Sequence, residues 1–387
     1  MKQWWMLIGL CVLLPVLLTG CGGGVRQESW PGLSVVEDVV YAAASSQVVA
    51  LNATTGEELW VFPEKANQRI GPFYAVPVWA EAHELLLVAG YKDQAIYALR
   101  TAPGLTDEAR VVWRFPPASE ANGFRFPWEG ATTHGAQGQY VAAGVLADDL
   151  FLIGNGDGRL YALHVADGSL AWSFVTQDRI WASPVVVGDV VYITSLDKHL
   201  YALNLADGTL RWSVETAGAI GATPTLVGDR LWVGDFTGTL YEIAREDGRV
   251  LWTFKGENWF WASPLEYDNI LYLADVSGNI YALDLETRQE IWPRVNVDDS
   301  VRGRLVLDVE NTRLLAPGYQ RGIIHAINTR QGVLESWGET LEKPGRLPGD
   351  LLTDGEHIYT MPILIPQQVQ VFDLLSGQLL WEYPSSK

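Results

Sequence analysis

Apolar and polar residues alternate with a period of two in short runs through the middle of the chain, and that period belongs to strands rather than helices. One stretch shows the unit: Ser183-Pro184-Val185-Val186-Val187, Val190-Val191-Tyr192-Ile193-Thr194, Leu200 to Asn204 and Leu210 to Val214. Between these runs stand Gly188-Asp189, Leu196-Asp197-Lys198-His199 and Ala206-Asp207-Gly208, residue types suited to tight hairpins. The unit then returns. Leu160-Tyr161-Ala162-Leu163 leads to Trp172, Leu200-Tyr201-Ala202-Leu203 to Trp212, and Leu240-Tyr241-Glu242-Ile243 to Trp252. A further full copy leads to Trp60, and weaker ones to Trp113, Trp292, Trp337 and Trp381.

Eight four-stranded antiparallel meanders are therefore expected. A sheet of this size cannot cover both of its faces alone, and stacking sheets around a common axis buries them against one another. The pattern predicts an all-β, eight-bladed β-propeller over residues 33–387. The eight recurring tryptophans are expected to dock each blade against the next, with the indole N–H donating to a backbone carbonyl. Seventeen tryptophans, 15 tyrosines and 38 glycines, with 19% charged residues, suit short strands and turns. No strand exchange between the chain ends is expected, because the eighth unit carries its own Trp381 strand; Ser29-Trp30 could lie against it.

The N-terminus follows a different logic. Lys2, the apolar run Met6 to Leu18 and Leu18-Thr19-Gly20-Cys21 resemble a bacterial lipoprotein signal, so residues 1–20 are expected to be removed and Cys21 lipidated. Residues 21–32, which include Gly22-Gly23-Gly24, are expected to form the anchor and a flexible linker. Only Cys11 and Cys21 are present. The mature chain thus has no free thiol, which excludes disulfides, iron–sulfur clusters and cysteine zinc sites. A formal charge of −19 argues against nucleic acid as a partner. A monomer is expected, exported and tethered at the periplasmic or outer surface of a bacterial membrane.

The repeat Leu-Tyr-Ala-Leu-Asn/Asp-x-x-x-Gly-x-x-x-Trp resembles that of pyrroloquinoline-quinone-type propellers from Leu33 to Tyr383. Quinoprotein dehydrogenases and non-enzymatic scaffolds share this repeat, so it implies fold before function. With its lipid signal and size, the chain is similar to the propeller lipoproteins of the outer-membrane β-barrel assembly machine, which implies a protein- or peptide-binding scaffold in the cell envelope. The quinoprotein features of vicinal cysteines and clustered calcium ligands are missing. Asp157, Asp197, Asp235 and Asp275 sit at repeated hairpin positions, and the six histidines have no metal-ligand spacing. Neither the quinone nor a metal is expected, and no catalytic residue is assigned. A quinone- or metal-dependent oxidoreductase and a carbohydrate-binding module remain as alternatives.

Partner recognition is expected where the repeat does not dictate the residues. The connectors between one unit's tryptophan strand and the next unit's first strand carry Arg69, Phe73, Tyr74, Arg179, Trp181, Trp259, Phe260, Trp261, Arg302 and Arg346. A longer insertion between Trp113 and Tyr140 adds Arg125 and Trp128. Aromatic residues with arginine mark partner sites. The same rings could plug the channel mouth, and the arginines could pair with Glu257, Asp298 and Asp299.

Overall fold

The computed structural model describes residues 32–44, 46–66, 70–116, 138–338, 345–365 and 368–385. It contains eight separate four-stranded antiparallel sheets, each paired in chain order. These blades span residues 32–62, 78–115, 145–175, 185–215, 225–255, 265–296, 306–335 and 352–383. Among the described residues, helix is limited to Asp107–Arg110 and the 3₁₀ turn Glu81–His83. The expected eight-bladed propeller is thus the observed fold. The expected leader, Cys21, the linker and Ser29-Trp30 lie outside the described residues.

Blade 4 shows how the sequence builds the sheet. Its strands are Val185–Val187, Val190–Thr194, His199–Asn204 and Leu210–Glu215. The first is shorter than the sequence suggests, because Pro184 has no N–H to give to the ladder. Between the third and fourth strands Ala202 faces Trp212, and then Leu203 faces Leu210. This bulge recurs in blades 1, 2, 3, 5 and 8. An extra residue in one strand increases the local twist.

The tryptophans join neighbouring blades. Trp172 Nε1 donates to Leu205 O at 2.9 Å in the following blade, and Trp113, Trp292 and Trp337 repeat the bond to Val165, Thr329 and Leu374. Beneath the Trp172 ring is Gly208. Its φ is +70°, and a Cβ there would lie 2.4 Å from the ring, so the position needs glycine both for its backbone and for the room it leaves. Glycine meets the tryptophan in the same way at six of the eight junctions.

Arginine takes that place at the other two. Arg110 lies 4.1 Å over the Trp60 ring and is 1% exposed. Arg288 lies 5.9 Å from Trp252 and 5.3 Å from Trp232, and forms a bidentate pair with buried Glu242 at 2.9 and 2.7 Å. A guanidinium over an indole face replaces the glycine contact with a cation–π one.

The ring closes by the same joint. Trp381 Nε1 donates to Ala53 O at 2.9 Å, across 328 residues of sequence, and the Tyr383 hydroxyl bonds Glu58. Blade 8 keeps its own four strands, so among the described residues no strand is exchanged, as expected. The core is accordingly divided among the junctions: Leu152, Leu160 and Trp172 of blade 3 pack with Val191, Ile193 and Leu203 of blade 4, while Val40 and Leu51 of blade 1 pack with Tyr359 and Val371 of blade 8.

Candidate functional site

Strand direction gathers the variable residues at one end. Each first strand leaves the connector end, the second returns to it, and the fourth comes back to feed the next connector. Connectors and second-to-third-strand hairpins therefore share one face, the mouth. First strands of blades 3 and 4, and of blades 5 and 6, touch one another and lie innermost.

A repeated bond pins each connector to its own blade. The N–H groups of Tyr91, Gly156, Leu196, Phe236, Val276 and Tyr319 donate to Pro72, Gln139, Arg179, Ala219, Trp259 and Ser300. The next connector residue points inward in every case: Phe73, Tyr140, Ile180, Ile220, Phe260 and Val301 are all at most 2% exposed. This corrects two expectations. Phe73 and Phe260 are connector anchors in the core, not surface residues; Phe260 packs with Leu271 and Tyr281. One residue further on, Tyr74, Val141, Trp181, Gly221, Trp261 and Arg302 occupy equivalent, half-buried places.

Those places make a patch. Trp181 and Trp261 approach to 6.2 Å between ring centroids across the connector of Gly221. A Cβ at Gly221 would lie 2.7 Å from Phe236, so the missing side chain leaves space for that ring. Phe236 stacks on Trp261 at 4.8 Å and 12°, and on Trp259 at 5.3 Å and 16°. Trp259 is 48% exposed. Arg179 lies 5.8 Å from the Trp181 ring and Arg302 5.9 Å from that of Trp261. Arg302 also covers Tyr319 at 3.7 Å, with Arg346 5.5 Å from the same ring. Tyr74 meets Tyr91 edge-on at 4.8 Å. Burial, reinforced by Tyr74 and opposed by Arg179, raises the Tyr91 hydroxyl above its usual range.

Six of the predicted residues thus share one surface: Arg179, Trp181, Trp259, Trp261, Arg302 and Arg346. Tyr74 lies in the equivalent connector of blade 2, while Arg69, Arg125 and Trp128 fall outside the described residues. Phe236 and Tyr319 belong to the patch, and Tyr91 packs on Tyr74; all three were missed, because they come from hairpins rather than connectors. Their signal was present: Phe236 stands 40 residues after Leu196 and 40 before Val276 in the repeat. As for the acids, Glu257 pairs with Arg294 at 2.6 Å, Asp298 with Arg321 at 3.9 Å, and Asp299 with Arg321 and His325 at 3.8 and 3.6 Å. Deeper inside, Ser183 N donates to Thr223 Oγ1, Thr223 N to Ser263 Oγ, and Arg304 N to Asp350 Oδ1, tying successive inner strands together.

The hairpin aspartates have structural employment. Asp157, Asp197, Asp235 and Asp275 accept the phenols of Tyr161, Tyr201, Tyr241 and Tyr281 at 2.6, 2.7, 3.1 and 2.8 Å, and also backbone N–H groups of their own turns. Burial, strengthened by these carboxylates, pushes the phenols up. Burial also raises Asp157, against the Tyr161 hydrogen bond. Among the described residues, no group of three histidine, cysteine, aspartate or glutamate side chains could hold a metal ion.

Fold and repeat define a class, the pyrroloquinoline-quinone-like propellers. Within it, the family model described as outer membrane protein assembly factor BamB matches residues 104–225 and 212–354, well over half of the chain, and the protein belongs to that family. The crystal structure of BamB from Moraxella catarrhalis is similar with a TM-score of 0.66 at 16% identity, covering 85% of this chain and 92% of that one. The computationally designed protein Ika8 is as similar in shape, with a TM-score of 0.67 at 14% identity over 89% and 96% of the two chains. Likeness at these identities shows the fold and not a role. No curated protein matches the sequence.

Proposed function

We propose that the protein is a lipid-anchored scaffold of the bacterial envelope that binds a protein partner at its channel mouth, in the assembly of outer-membrane proteins. The patch in which Phe236 stacks between Trp259 and Trp261, with Arg179, Arg302 and Arg346 at its margins, carries this reading. It favours an extended segment that offers apolar side chains to the indoles and carboxylates or backbone carbonyls to the guanidinium groups. Family membership supplies the envelope context. The protein acts by holding its partner, and no catalytic step is assigned to it.

The test is capture of the partner from membranes by a photoreactive residue placed at Trp259, with identification of the crosslinked chain. Trp261→Ala and Arg302→Ala should each weaken binding of that chain about thirtyfold, the loss associated with hot-spot residues of about 2 kcal/mol. An unchanged partner set and affinity in both variants would refute mouth binding. Loss of cell-wall polysaccharide binding in Trp259→Ala, with no protein captured, would replace it by a carbohydrate reading.

A further inference from the structure

The start of blade 1 fixes where the N-terminal residues leave the ring. Gly32 opens the innermost strand and pairs with Ala43. It lies so close to the connector entering blade 2 that a Cβ on it would meet Val76 N at 2.4 Å. Val76 stands two residues beyond Tyr74. The residues before Gly32 therefore join the propeller on the mouth face, beside the connector that carries Tyr74. The hairpins at 188–189, 206–208 and 246–248 lie at the opposite end of the blades.

Ten residues, 22–31, separate the lipid-acceptor position Cys21 from Gly32, and fully extended they span at most ~35 Å. Reaching a membrane on the opposite face would require the chain to run back along a blade, whose six-residue third strand alone covers about 20 Å, and also to cross the breadth of a sheet. Composition adds to this: Trp259, 48% exposed at the mouth, is of a residue type enriched at membrane–water interfaces.

We propose that the anchor holds the propeller mouth-first toward its membrane, so that the segment captured by the patch is one emerging from that same bilayer. The inference rests on the anchored, mouth-binding reading above, and it narrows the partner to the membrane-proximal part of a protein inserted in, or leaving, that bilayer.

The test uses the full-length lipidated protein in vesicles of phosphatidylethanolamine and phosphatidylglycerol with acceptor-labelled head groups. Cys11 leaves with the signal and Cys21 is acylated, so Gln177→Cys at the mouth or Glu246→Cys at the far end accepts a single donor dye. Energy transfer should be several-fold stronger from position 177. Thirty glycine and serine residues inserted after Gly24 should abolish that difference. Equal transfer from the two positions with the native linker, or stronger transfer from 246, overturns the orientation. So does an unchanged pattern in Cys21→Ser, since the anchor would then not be its cause. Partner binding measured in detergent is independent of orientation, so the two readings can fail separately.

Discussion

At the junction of blades 3 and 4, Trp172 is 8% exposed, gives its N–H to Leu205 and rests on Gly208. At the mouth, Trp259 is 48% exposed and lies flat on Phe236. The first belongs to a pattern copied around the ring; the second appears in one connector. A residue repeated in every unit answers to what every unit needs, which is a neighbour. A residue that appears once needs a separate reason, and exposed aromatic surface is costly enough in water to require one. The same side chain thus serves stability in one place and, in the other, forms part of the surface proposed for recognition.

Truncation separates the two most sharply. Trp172→Ala should cost about 3–5 kcal/mol, as for other large buried aromatics, read as a lower midpoint of urea unfolding. Trp259→Ala should leave that midpoint within the spread of ordinary surface substitutions, about 0.5 kcal/mol. Equal losses in the two variants would remove the distinction.

The arginine junction sharpens it further. Arg288→Gly restores the repeat's own residue but leaves Glu242, whose side chain is 3% exposed, with only Arg230 at 3.6 Å. A loss of about 3 kcal/mol is expected, because a buried carboxylate loses its main partner. Adding Glu242→Ala, the residue found at 162, 202 and 282, should recover most of it. Failure of that rescue would show that the guanidinium stabilises the junction chiefly through Trp252 and Trp232.

The smallest effect concerns acid. Burial opposes ionisation of Asp354, but hydrogen bonds from Tyr359, His357 and backbone N–H groups prevail and hold its carboxyl at about 2. A depressed carboxylate stabilises the fold above its unfolded value of 3.8, and that contribution fades as pH falls toward about 2. Acid unfolding of Asp354→Asn should therefore be flatter across that window, with the wild-type curve steeper.

The period of 40 residues made the blades, their number and the docking tryptophans legible in the sequence, because identical local chemistry repeated in register leaves little choice of packing. The connectors were only partly legible. Alternation of inward and outward residues sends Phe260 into the core and its neighbours Trp259 and Trp261 outward, a distinction that a count of aromatics does not make. Phe236 joins them from a hairpin more than 20 residues earlier in the chain, a proximity set by the path of the strands. Arg110 and Arg288 were hidden for another reason: Arg288 replaces the repeat's glycine and Arg110 ends the longer turn before Trp113, and the contact each makes is visible only across the junction.

Trp381 on Ala53 is the same kind of joint as Trp172 on Leu205, made between the two ends of the chain. The ring therefore has no privileged seam. A circular permutant, with its old ends linked and new ones opened in any exposed connector, would present every blade with an unchanged neighbour on both sides.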